Sequence, residues 1–85
     1  MNYNRNDENY VYYFVGKNIR NYRKKKGWTQ RKLAEESCYS KQFYSNIEHN
    51  VHQSFCLGTL WKIALVLDVD MYELCKELKE EVSSY

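Results

Sequence analysis

Val11, Val15, Asn18/Ile19 and Tyr22 repeat at the spacing of one helix face, apolar but for Asn18, with Phe14 beside them. The pattern predicts a first helix capped by Asn6 or Asp7 and running to about Lys26, where Gly27 supplies a left-handed stop. Thr29 is a good N-cap for a second, short helix from Gln30 to Ser37. Leu33 and Ala34 face inward on it, while Arg31, Lys32, Glu35 and Glu36 face water. Ser40 caps a third helix ending at Glu48, with Tyr44 and Ile47 on one side and Lys41, Gln42 and Asn46 on the other. A fourth helix is predicted from Ser54 or Phe55 to Leu67. Its core face is Leu57, Leu60, Ile63, Ala64 and Leu67, and Trp61 and Leu65 form an adjacent stripe. After a turn at Asp68-Val69-Asp70, with Asp70 as cap, Met71, Leu74, Cys75, Leu78 and Val82 trace a fifth. The expected fold is all-α with five helices: a polar extension over residues 1–8, one domain over 9–82 and a loose end over 83–85.

Composition narrows this. Eighty-five residues make one domain with a modest core, since so short a chain buries only somewhat more than ~60% of its unfolded surface. No proline interrupts the helices. No apolar run approaches the ~20 residues of a membrane span, and Met1-Asn2-Tyr3-Asn4-Arg5 lacks a signal-peptide core, so the simplest address is the cytoplasm, away from any membrane. The net charge of +2 is unevenly spread: residues 1–53 carry +5 and residues 54–85 carry −3. A basic half and an acidic half suggest a nucleic-acid face with the acidic side turned away.

Cys38, Cys56 and Cys75 form no C-x-x-C pair, which argues against a zinc ribbon or redox motif and for reduced, largely buried thiols. His49-x-x-His52 with Cys56 matches no standard metal spacing. No Ser/His/Asp set, Gly-rich phosphate loop or carboxylate pair stands out, so an enzyme, a cofactor and a small-molecule ligand are not expected.

The outer side of the third helix carries donors and acceptors with little negative charge. Such a face fits the major groove, where Gln and Asn pair with adenine edges and Lys with guanine. Here the sequence resembles a known family. Arg20, Arg23, Gly27, Thr29-Gln30, Leu33-Ala34, Ser40, Ser45, Ile47-Glu48, Leu60, Ile63-Ala64 and Leu67 sit where the Cro/repressor-type (XRE-like) helix-turn-helix pattern has them, over roughly sixty residues. The resemblance implies a lambda-repressor-like domain and a DNA-binding transcription regulator, with a repressor or a restriction–modification controller as the analogy. It implies that Thr29, Gln30 and Ser40 grip the backbone, that Lys41, Gln42 and Asn46 read bases, and that Arg23 pairs with Glu48 as a structural bridge. Phe43, on the reading side, would touch a thymine methyl. Ser45 would serve as a small packing residue or a phosphate donor, and His49 and Asn50, with Gln53, would meet phosphates again.

The basic run on the first helix has a solvated-end reading and a phosphate reading. Its place just before Thr29 favours phosphate contact by Lys17, Lys24 and Lys25. Tyr10, Tyr12, Tyr13 and Phe14 read as packing rather than base stacking. Trp61 and Leu65, large and apolar where the family has polar residues, favour a homodimer interface, which two half-sites of a palindromic operator would match. Two departures stand out: Cys38 lies where the family often has glycine, and the loop between Glu48 and Leu60 is about one residue longer than usual; Asn50 also stands at a usual glycine position, but Asn tolerates a left-handed turn. The alternative is a protein–protein module, antitoxin- or anti-repressor-like, with Phe43, Tyr44 and Trp61 as anchors.

Overall fold

The computed structural model describes residues 6–49 and 51–77. Among these residues five helices follow in order: α1 Tyr10–Lys25, α2 Gln30–Ser37, α3 Lys41–Glu48, α4 Leu57–Leu67 and α5 Met71–Cys75. There is no strand among the described residues. α1 packs on α3, α4 and α5, α2 on α3 and α4, and α4 on α5. One core joins them: Val15 and Ile19 of α1, Leu33 and Ala34 of α2, Tyr44 and Ile47 of α3, Leu60, Ile63, Ala64 and Leu67 of α4, and Leu74 of α5. Helices this short are marginal in isolation, so the shared apolar seam holds them.

The helix starts follow local chemistry. Thr29 Oγ1 accepts from the Lys32 N–H at 3.0 Å, and Ser40 Oγ accepts from the Phe43 N–H at 3.0 Å. α1 begins later than the cap at Asn6 or Asp7 implies. Asp7 instead makes a turn, its carboxylate accepting from the Asn9 N–H and its carbonyl from the Tyr10 N–H, both at 2.9 Å. α4 also starts late, at Leu57. Asp70 occupies the N-cap position of α5 but its side chain makes no capping bond.

Several apolar expectations need correction. Leu57 is 71% exposed and Val11 45% exposed, because each lies on the opening turn of its helix, short of the packed seam. All three cysteines are free and exposed rather than buried. α5 does not continue as a helix through residue 76: Lys76 is extended (φ −72°, ψ 128°). Leu78 and Val82, expected on its stripe, lie outside the described residues, as do residues 1–5 and 83–85.

A buried polar residue explains where α5 ends. Asn18, on the core side of α1, donates from Nδ2 to the carbonyls of Leu74 (2.8 Å) and Lys76 (2.7 Å). Both N–H groups of one amide satisfy carbonyls that the short helix leaves open. Tyr22 adds a bond to Glu73 Oε1 at 2.8 Å. That bond is the main reason the Glu73 carboxyl titrates below its ordinary value and the Tyr22 phenol above its own.

Candidate nucleic-acid interface

α2 and α3 meet through a turn of three residues, Cys38, Tyr39 and Ser40. Cys38 is left-handed (φ 65°, ψ 28°), so it takes the backbone that glycine usually supplies, and the Tyr39 N–H donates to Ala34 O at 3.2 Å. Beneath the turn, Tyr44 is fully buried and its hydroxyl lies 2.6 Å from Ser37 Oγ, which also donates to Leu33 O at 2.7 Å. Burial is the chief cause pushing the Tyr44 phenol up to about 12. This buried pair fixes the angle between the two helices by a contact that tolerates little change in spacing.

Arg23 ties the helix-turn-helix to α1. Its Nε and Nη2 donate to the two Glu48 carboxylate oxygens at 2.8 Å each, and Nη1 donates to Trp28 O at 2.6 Å. Gln30, expected on phosphate, donates from Nε2 to Glu48 Oε1 at 3.0 Å, so its amide belongs to this bridge. The bidentate pair is buried and hydrogen-bonded, the geometry in which arginine–carboxylate bonds are strongest. It sets the start of α2 relative to the end of α3.

With that frame in place, Lys41 and Gln42 stand exposed on α3 and Asn46 is half-exposed. Gln42 Nε2 donates to Asn46 Oδ1 at 2.7 Å, and Asn46 Nδ2 donates to Gln53 Oε1 at 3.0 Å. Phe43 is half-buried; its ring packs near Tyr39 (5.3 Å), Tyr44 (5.2 Å) and Phe55 (5.9 Å), so most of it serves the aromatic cluster. Thr29 and Ser40 are exposed at the two helix starts, and neither helix has an acid in its first turn. Each hydroxyl accepts a capping bond and keeps its own proton to donate, beside N–H groups that favour an anion.

At the other end of α3, His49 Nδ1 lies 2.9 Å from Ser45 O and 3.4 Å from Ser45 Oγ, which folds the ring back on its own helix. Asn50 lies outside the described residues. Lys24 is exposed; Lys25 Nζ sits 4.8 Å from the centre of the Tyr22 ring, and Lys17 Nζ 5.4 Å from that of Tyr13. Trp28, to which the sequence pattern assigns no role, has the Lys26 and Lys32 ammonium groups 5.0 and 5.5 Å from the centre of its ring. A tryptophan within a basic run was the available signal. Trp61 and Leu65 are 55% and 58% exposed on α4 and, with Leu57, make an open apolar stripe. Among the described residues no group of three or more His, Cys, Asp or Glu side chains could hold a metal, and no helix is long and apolar enough to cross a membrane.

A family model described as Helix-turn-helix matches residues 19–74, from the second half of α1 to α5. The chain belongs to the helix-turn-helix family. Among helix-turn-helix proteins it is 36% identical over 66 residues to the transcriptional regulator SinR of Bacillus licheniformis, covering 78% of this chain and 60% of that one. The chain thus spans about 60% of the length of this curated relative. A crystal structure of SinR, a master regulator of biofilm formation, in complex with DNA superposes with a TM-score of 0.68 at 35% identity, over 73% of this chain and 98% of that one. The restriction–modification controller protein C.AhdI of Aeromonas hydrophila gives 0.71 at 26% identity, over 80% and 99%. The helix-turn-helix match covers the elements that carry Arg23, Thr29, Ser40, Lys41, Gln42 and Asn46.

Proposed function

We propose that this protein is a cytoplasmic, sequence-specific regulator of transcription that binds double-stranded DNA. In this reading α3 enters the major groove. Lys41, Gln42 and Asn46 meet base edges, with a minor share from the exposed part of Phe43. The hydroxyls and N–H groups at Thr29 and Ser40 hold phosphates on either side, joined by Lys17, Lys24, Lys25, Ser45, His49 and Asn50. Trp61 and Leu65 join two copies on a palindromic operator.

The observation that carries the reading is the pairing of an amide-and-ammonium face on α3 with two capped, acid-free helix starts. Phosphate contacts set the register and base contacts the sequence, and the arrangement holds groups suited to each. Selection of bound sites from random duplex DNA, followed by anisotropy titration over a range of salt, tests it. A consensus site is expected, with affinity falling steeply as salt rises. Binding that ignores salt, or that a Gln42→Ala/Asn46→Ala double variant leaves unchanged, refutes it.

A further inference from the structure

Three amides form a chain running from the loop after α3 to its exposed face. Gln53 Nε2 donates to the backbone carbonyl of Ser54 at 3.1 Å, Asn46 Nδ2 to Gln53 Oε1 at 3.0 Å, and Gln42 Nε2 to Asn46 Oδ1 at 2.7 Å. A side-chain amide can be turned end for end, so its polarity has to come from its partners. Here the last partner settles it. The Ser54 carbonyl can only accept, so Gln53 must turn its NH₂ toward it and its oxygen toward Asn46. Asn46 then donates to Gln53 and turns its own oxygen toward Gln42. Gln42 must donate inward, which leaves its carbonyl oxygen and its second N–H facing out.

We infer that Gln53 is a specificity-determining positioning residue, which fixes the polarity of the Gln42 amide so that Gln42 reads adenine. The inference rests on α3 being the DNA-reading helix. One outward acceptor and one outward donor match the N6 amino group and N7 of adenine. Were the chain reversed, Gln42 would accept from Asn46 and turn both N–H groups outward, toward the two acceptors of guanine, O6 and N7. Gln53 touches no base in this scheme. It acts through Asn46, from a loop position.

Two variants separate this role from a structural one. Gln53→Leu keeps the bulk and removes the amide. Gln53→Glu loses the bond to the Ser54 carbonyl, which an acceptor-only carboxylate cannot make, but offers Asn46 nothing except an acceptor, and so keeps the polarity while adding charge. In the free protein, the side-chain amide signals of Gln42 and Asn46 should shift in Gln53→Leu, with the melting temperature little changed. Unmoved signals overturn the amide chain without any DNA being involved. In selection from random duplex DNA, wild type should prefer adenine over guanine at one position of each half-site. Gln53→Leu should lose that preference about tenfold while keeping the salt slope and the preferences elsewhere. Gln53→Glu should keep it and bind all sequences more weakly. An unchanged adenine preference in Gln53→Leu refutes the inference, and so does a preference lost equally in both variants. A wild-type chain that selects no consensus refutes instead the DNA-reading role of α3 on which the inference rests.

Discussion

Gly16 in α1 lies so close to the carbonyl of Ile47 in α3 that a Cβ at position 16 would stand 2.1 Å from the Ile47 oxygen. The obstacle is backbone, which cannot swing aside as a flexible side chain would. α1 can therefore sit directly on the helix that presents Lys41, Gln42 and Asn46. Gly16→Ala should lower stability by about 2 kcal/mol net, even though alanine is the better helix former by about 1 kcal/mol. Urea unfolding of the pair measures it; an unchanged or raised midpoint would remove the close approach as a determinant of the fold.

The Arg23–Glu48 bridge predicts an asymmetry. Glu48→Ala leaves a guanidinium buried with two of its three hydrogen bonds lost and should cost about 3–5 kcal/mol. Arg23→Lys keeps the charge but not the two parallel bonds, and should still be clearly destabilised. If thermal unfolding finds Arg23→Lys equal to wild type, charge alone suffices and the fork geometry contributes little.

Tyr44 predicts a response to alkali. Its folded pKa is raised from the ordinary 10.0 to about 12, chiefly by burial. The folded state therefore holds the proton more tightly than the unfolded chain. The resulting stability is fully present below pH 10 and drains away as pH climbs from 10 through about 12. Tyr44→Phe should cost about 1 kcal/mol near neutrality, since Ser37 keeps Leu33 O as a partner. The gap between the two proteins should close, then reverse, across that alkaline window. Parallel curves of stability against pH would contradict the assignment.

Cys38 carries the opposite sign. It occupies a left-handed backbone at an exposed position. Cys38→Gly should stabilise by about 1 kcal/mol, and Cys38→Val should destabilise, both read from denaturant midpoints. A glycine variant less stable than wild type would mean that the thiol contributes something the backbone geometry does not show.

The exposed stripe on α4 bears on assembly. Trp61→Lys with Leu65→Glu removes two solvent-facing apolar side chains and should leave the fold intact, since neither belongs to the core. Sedimentation should then show the variant as a monomer where wild type is a dimer, with weakened binding to a two-half-site duplex. A wild type that sediments as a monomer at high concentration ends the dimer proposal.

The local pattern was enough to set the number and order of the helices, the caps at Thr29 and Ser40 and the inward side of α2 and α3, though not where α1 and α4 begin or α5 ends. Capping and helical periodicity act over three or four residues, and the chain spells them out directly. Tertiary structure decided what depends on distant partners: that Asn18 closes α5, that Gly16 is a point of contact, that Gln30 joins the Glu48 bridge and that Gln53 orients Asn46. A polar residue on an apolar face and a glycine inside a helix were visible signs, but their meaning depends on a group 56 residues away in one case and on a facing backbone carbonyl in the other. Leu57 shows the same division. Its spacing is that of a core residue, yet only the position of its neighbours decides whether anything covers it, and nothing among the described residues does so fully.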